Sequence, residues 1–248
     1  MFIYNATCSY VKGSPLVPRP VQHSESQQEY APAVPDAVFF VGDSITFGWR
    51  DEDVGGWPTR LTTALSARHA VTAYNLGVRG DTSTSILARW EDEVGRRKQA
   101  PHSVIVFAFG ANDAKLFPDG RPFVAPEATR RNTAAILEAA QREHIVLFVG
   151  PAPVDEPVLA RVINPSGTQP VPTNRQIGLV SQILAEETER AGVPYLDLST
   201  RLASDAGWID SLRETDGIHP PARGHDTIAA LVGAWRPWTS IFQTGDAP

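Results

Sequence analysis

The chain has 248 residues, 22 Lys and Arg against 28 Asp and Glu, and a net charge of −6. That length suits one large domain or two small ones with enough core to fold without a staple, and the single cysteine, Cys8, excludes an internal disulfide framework and a cysteine-built zinc site. The acidity argues against nucleic acid as a partner, and no apolar run approaches the ~18–20 residues of a membrane span.

Residues 1–35 carry Pro15, Pro18, Pro20, Pro32 and Pro35 around a polar run from Gln22 to Tyr30, which predicts a flexible or draped arm. Met1 to Tyr10 has neither the basic start nor the sustained apolar core of a signal peptide, so a cytoplasmic location is expected. Apolar runs then follow at Ala37–Val41, Ala70–Asn75, Ser103–Phe109, Ile145–Val149 and Val193–Leu198. Runs of this length read as parallel strands covered on both faces. Helical stretches lie between them at Trp57–Ser66, Thr84–Val94, Ala125–Arg142 and Arg175–Ala191, with a last one at about Gly224–Trp235. Repeated β-α units predict one open parallel sheet in a single domain over residues 36–236, followed by a C-terminal tail at 237–248.

In such sheets ligands bind beyond the carboxyl ends of the strands. The first strand is followed by Gly42-Asp43-Ser44-Ile45, and the second by Gly77-Val78-Arg79-Gly80-Asp81-Thr82-Ser83. The third is followed by Gly110-Ala111-Asn112-Asp113, and Asp216-Gly217-Ile218-His219-Pro220 precedes the last helix. Each piece is common alone; the set, in this order and at these strand ends, is specific.

With all four blocks present, the chain resembles the SGNH hydrolases, the GDSL-type esterases and lipases, over roughly Val38 to Ala230. The resemblance implies a three-layer α/β/α, flavodoxin-like fold with a central parallel sheet of about five strands. It also implies serine-based acyl transfer without a cofactor. Its oxyanion donors map onto the backbone N–H groups of Ser44 and Gly80 and the side-chain amide of Asn112. Gly77 competes with Gly80, and is otherwise a turn residue needing unusual backbone angles.

The residue types bear the chemistry independently. A serine hydroxyl is a poor nucleophile until a base takes its proton, and His219 is the candidate base for Ser44. Asp216, three residues earlier in a loop eased by Gly217, can reach Nδ1 of the same ring and leave Nε2 facing the serine. Against this, Ser44 could cap a helix, Asn112 could form a turn, and His225 is a rival base inside the last helix. Asp43 and Asp113 read as groups that orient loop N–H groups, and Arg79 and Asp81 as a loop-bracing pair.

Substrate contacts are expected from Phe47, Trp49 and Trp57 after the serine, and from Phe117 after Asn112. The long Pro151–Thr173 segment should overhang the crevice, with Val158 and Leu159 as an apolar wall that supplies no catalytic group. A small-molecule ester is the expected partner, short-chain or carbohydrate O-acyl esters above bilayer lipids. Thioesters, lysophospholipids and acyl acceptors would use the same machinery. No clustered His/Asp pattern suggests a metal. A non-catalytic flavodoxin-like module is the remote alternative.

Overall fold

The computed structural model of the protein describes residues 34–98 and 102–243. The expected N-terminal arm lies almost wholly outside the described residues, as do residues 244–248.

The chain opens with β1 (Ala37–Gly42), a one-turn helix α1 (Ser44–Phe47) and α2 (Gly56–Ser66). Next come β2 (Thr72–Gly77), α3 (Ser83–Gly95), β3 (Ser103–Ala108), a short β4 (Lys115–Leu116), α4 (Pro126–Ala140) and β5 (Ile145–Val149). After these lie α5 (Glu156–Val162), β6 (Val171–Pro172), α6 (Asn174–Ala191) and β7 (Tyr195–Leu196). Four helices end the domain: α7 (Leu198–Arg201), α8 (Ala206–Arg213), α9 (Ala222–Gly233) and α10 (Arg236–Ile241).

Five strands form one parallel sheet in the order β2-β1-β3-β5-β7, while β4 and β6 make a separate antiparallel pair. Successive side chains of a strand point to opposite faces. Phe39 and Val41 of β1, with Ile105 and Phe107 of β3, therefore join one core layer with Trp90 of α3, Ile136 of α4 and Leu184 of α6. Their neighbours Val38, Phe40, Val104 and Val106 join the other layer with Trp57 of α2, Trp208 of α8 and Val232 of α9. Burial on both faces is why these strands read as unbroken apolar runs. This is the open parallel sheet that the alternation predicts, in the α/β/α sandwich that the resemblance implies.

Three expectations change. β2 is an edge strand, largely exposed, and it begins at Thr72 because Ala37 pairs with Thr72 in the register. The Pro151–Thr173 segment is ordered around α5, which Asp155 caps by accepting a hydrogen bond from the Val158 N–H. Residues 237–242 are no appendage: Trp238 and Phe242 are buried in the second layer, Trp238 with its ring centroid 6.1 Å from that of Phe40.

Candidate active site

The sheet order changes direction at β1, so the crevice between the ends of β1 and β3 is the topological switch point. Asp43, in extended conformation, caps α1 by accepting a 2.9 Å hydrogen bond from the Ile45 N–H. Ser44 is therefore the first helical residue and not the cap. It is only 7% exposed, and its Oγ lies 2.9 Å from His219 Nε2. His219 Nδ1 lies 2.9 Å from Asp216 Oδ2. The other oxygen, Oδ1, accepts from the N–H of His219 at 2.9 Å and of Ile218 at 3.2 Å. Burial pushes the Asp216 carboxyl up, but the His219 ring and these backbone donors outweigh it and hold it down at about 2.

The tight turn between Asp216 and His219 depends on Gly217, whose φ is +85°. A Cβ there would lie 2.6 Å from Leu159 N and 2.7 Å from Asp155 O. The Gly217 carbonyl accepts from the Asp155 N–H at 2.8 Å, so the first turn of α5 is docked on this loop. Thr215 Oγ1 donates to the His219 carbonyl at 2.6 Å and closes the turn from the other side.

Asn112 follows β3, and its Nδ2 donates one hydrogen to the Asp81 carbonyl at 2.8 Å. The second amide hydrogen has no acceptor among the described residues. The Gly80 N–H likewise has none, and the Ser44 N–H, at a helix N-terminus, lacks an intrahelical one. Ser44, Gly80, Asn112 and His219 all line one cleft of about 390 Å³. The rival glycine is occupied otherwise: the Gly77 N–H donates to Asn75 Oδ1 at 3.0 Å. Its backbone angles are ordinary, contrary to expectation; what it requires is space, because a Cβ would lie 2.2 Å from Phe47 N.

Asp113 is spent on structure. It accepts from the Ser83 N–H at 2.9 Å, from the Ser83 hydroxyl and from Thr129 Oγ1 at 2.9 Å. Asp43 is fully enclosed, and burial raises its carboxyl to about 6 against the pull of the Ile45 N–H, His219 and Lys115. The expected Arg79–Asp81 pair does not form. Asp81 binds Arg89 Nε at 2.6 Å, and Arg89 also donates to the Gly42 and Leu76 carbonyls, tying α3 to the end of β1. Arg79 instead stacks on Trp49, its guanidinium carbon 3.3 Å from the ring centroid.

The wall expectations divide. Leu159 lines the cleft, joined by Ile163 and by Pro170 and Pro172 beside β6. Val158, its neighbour on α5, is buried away from the cleft. Trp57 is 1% exposed and packs edge-on against Phe40 at 5.2 Å, so it is a core residue and not a substrate contact. Phe47 is 47% exposed outside the cleft, and Phe117 pairs with Phe123 at 5.7 Å away from it. Trp49 meets the cleft only through Arg79. Sequence reasoning missed Arg79 and Lys115 as lining groups; their closeness in sequence to Gly80 and Asn112 was the available signal.

His225 is 0% exposed on α9, and neither ring nitrogen has a partner in hydrogen-bond geometry. Desolvation drives its pKa down to about 4, although Asp51 and the nearby Trp49 backbone oppose the shift. His144 Nδ1 is engaged with Ser103 Oγ at 2.6 Å at the opposite end of β3. Among the described residues no group of three or more His, Cys, Asp or Glu side chains converges, and no helix is long and apolar enough to cross a membrane.

No curated protein has a significant sequence match to the chain. Solved structures that resemble it include a lipase/acylhydrolase from Enterococcus faecalis, 26% identical, covering 79% of this chain and 93% of that one with a TM-score of 0.61. The psychrotrophic esterase EstA from Pseudoalteromonas sp., in a structure inhibited by monoethylphosphonate, shares the fold at 15% identity, with coverages of 79% and 93% and a TM-score of 0.58. An acetyl xylan esterase, AlAXEase, shares it at 18% identity, with coverages of 79% and 96% and a TM-score of 0.56. Residues 40–227 match the GDSL-like lipase/acylhydrolase family. With that match spanning most of its length, the chain belongs to this family of hydrolases.

Proposed function

We propose that the protein hydrolyses carboxylic esters through an acyl-Ser44 intermediate. The observation that carries this reading is the continuous hydrogen-bonded line from Ser44 Oγ through the His219 ring to Asp216, with 2.9 Å at each step. Asp216, ionised at any working pH, accepts the Nδ1 proton and so leaves Nε2 as the base. His219 takes the hydroxyl proton as Ser44 Oγ attacks the ester carbonyl. The carbonyl oxygen becomes an oxyanion among three donors: the Ser44 and Gly80 N–H groups and the free hydrogen of Asn112 Nδ2. None of the three is committed to another acceptor among the described residues, which is the preorganisation such a site requires. The tetrahedral intermediate collapses, His219 protonates the departing alcohol, and water repeats the cycle on the acyl-enzyme.

Substrate size follows from the cleft. A volume of about 390 Å³, walled on one side by Leu159 and Ile163, suits short acyl chains or a single O-acylated sugar better than a bilayer lipid. The test is a chromogenic acetate ester together with labelling by a fluorophosphonate. The wild type should show burst hydrolysis and take up one label per chain. Ser44→Ala should lose both at an unchanged melting temperature. Near-normal turnover in a folded Ser44→Ala variant would remove the acyl-serine mechanism.

A further inference from the structure

We infer that Arg79 and Lys115 form an anion-binding subsite beside Ser44, so that the esters taken by this site carry a carboxylate or phosphate group. The inference rests on the hydrolase reading above and names the substrate class of the same cleft.

Both residues line the cleft that holds Ser44 and His219, and among the described residues no Asp or Glu lines it. That is unexpected in a chain with 28 acids against 22 bases. Nearby cations are paired: Arg50 with Asp216, Arg89 with Asp81 and Arg213 with Asp155. Among the described residues, no carboxylate lies within 4 Å of the Arg79 or Lys115 charged groups.

Each cation is nonetheless held in place. The Arg79 guanidinium carbon lies 3.3 Å from the Trp49 ring centroid, a cation–π contact that restrains the group while its N–H donors stay available for a bidentate acceptor. Lys115 is pinned through its backbone, where its carbonyl accepts from the Phe123 N–H at 2.8 Å and β4 pairs with β6. Its ammonium has no hydrogen-bond acceptor among the described residues, and burial drives its pKa down, with Asp43 only opposing the shift from beyond salt-bridge distance. A partly desolvated ammonium whose only described partner is the Phe123 ring, 5.8 Å from its centroid, still lacks a counter-charge. An incoming anion supplies the missing partner. Arg79 directly precedes Gly80, and Lys115 comes three residues after Asn112, so the two cations flank the oxyanion donors.

The experiment compares acidic esters with neutral isosteres. One pair is 4-acetoxybenzoate and 4-acetoxybenzamide, with the anion on the alcohol side. The other is monophenyl adipate and phenyl hexanoate, with the anion on the acyl side. The kcat/KM preference for the acidic member, in at least one pair, should fall about tenfold or more in the Arg79→Gln, Lys115→Gln double variant, with the change mainly in KM. Each single variant should lose part of it, and added salt should weaken it in the wild type. Which pair responds identifies the side of the ester that carries the charge. Fluorophosphonate labelling of Ser44 checks that the variants keep a competent site. A preference that stays the same in the double variant overturns the proposal, and so does an equal loss in kcat for acidic and neutral esters. Absence of turnover with every ester would count against the hydrolase reading. Calorimetric titration of the Ser44→Ala protein then decides the subsite alone: the acidic probe should bind about tenfold tighter than its isostere, and equal affinities overturn it.

Discussion

The side-chain amide of Asn112 is fixed by the Asp81 carbonyl 2.8 Å away, so one hydrogen is used in aiming the other. A donor oriented before the reaction acts mainly on charge that develops later. Asn112→Ala should therefore lower kcat by roughly 10²–10³ with little change in KM. Single-turnover kinetics separate the two, and a loss confined to binding would take Asn112 out of the oxyanion site.

His219 and His225 should respond differently. His219→Ala is expected to lose nearly all turnover. His225→Leu keeps the volume, removes two buried nitrogens without partners and should leave turnover within a few-fold. It should also change acid stability. The folded pKa of His225 is about 4, below the ordinary 6.5, so the unfolded chain binds the proton first and stability falls as the pH drops from about 6.5 toward 4. Melting curves over this range should show a smaller decline in His225→Leu than in the wild type. Identical declines would mean that His225 is not the group responsible.

Asp43 has the opposite linkage. Its folded pKa, about 6, lies above the ordinary 3.8, so the folded state holds the proton more tightly. The favourable contribution is complete below about pH 4 and is lost as the pH rises through 6. Above that, a buried carboxylate costs on the order of 2–3 kcal/mol. Asp43→Asn keeps the α1 cap without the charge. It should raise the melting temperature by several degrees at pH 8 and hardly at all at pH 4. A uniform shift at both pH values would point to the cap and not to the charge.

Gly217 joins the Asp216–His219 loop to α5. In Gly217→Ala the new Cβ meets the backbone of Asp155 and Leu159 and must adopt an unfavourable φ, so turnover should fall at least tenfold with a lower melting temperature. Leu159→Ala, which trims the cleft wall and also leaves a space in the first core layer, should lower the melting temperature and reorder preference among acyl chain lengths while Ser44 still labels. Deleting the segment between Pro153 and Pro172 is a different matter. It removes the Asp155 N–H that holds the Gly217 carbonyl, so Ser44 labelling should fall with it. Pro151–Thr173 is thus both a wall and a brace, where its sequence suggested a wall alone.

The sheet and its helices were legible because burial on both faces leaves no polar residue to interrupt a strand, as in Ala37–Val41. Ser44, Asn112 and His219 were legible because turn chemistry at strand ends leaves short, ordered blocks. Trp57 was misread because nearness in sequence to Ser44 says nothing about which face of α2 a ring occupies; packing against Phe40 decides that. Arg79 looked like the partner of Asp81 because the two are close in sequence. Arg89, a full helical stretch away, reaches Asp81 instead, and only the tertiary fold could show it. Lys115 left only its closeness to Asn112 as a signal, since a lone cation outside the main sheet usually reads as solvated.

The family match ends at residue 227, inside α9, whereas the second core layer continues to Phe242. A chain shortened to that boundary would lose Ile228, Val232, Trp238 and Phe242, all of them buried. At ~1.5–3 kcal/mol for each side chain, the loss is roughly 6–12 kcal/mol, comparable to the whole stability of an ordinary domain. It would also strip cover from Phe40 and Trp57, behind the strand that leads into Ser44. Expression boundaries drawn from the family match alone would therefore yield an aggregating product with every catalytic candidate still present, and its inactivity would be mistaken for a missing function.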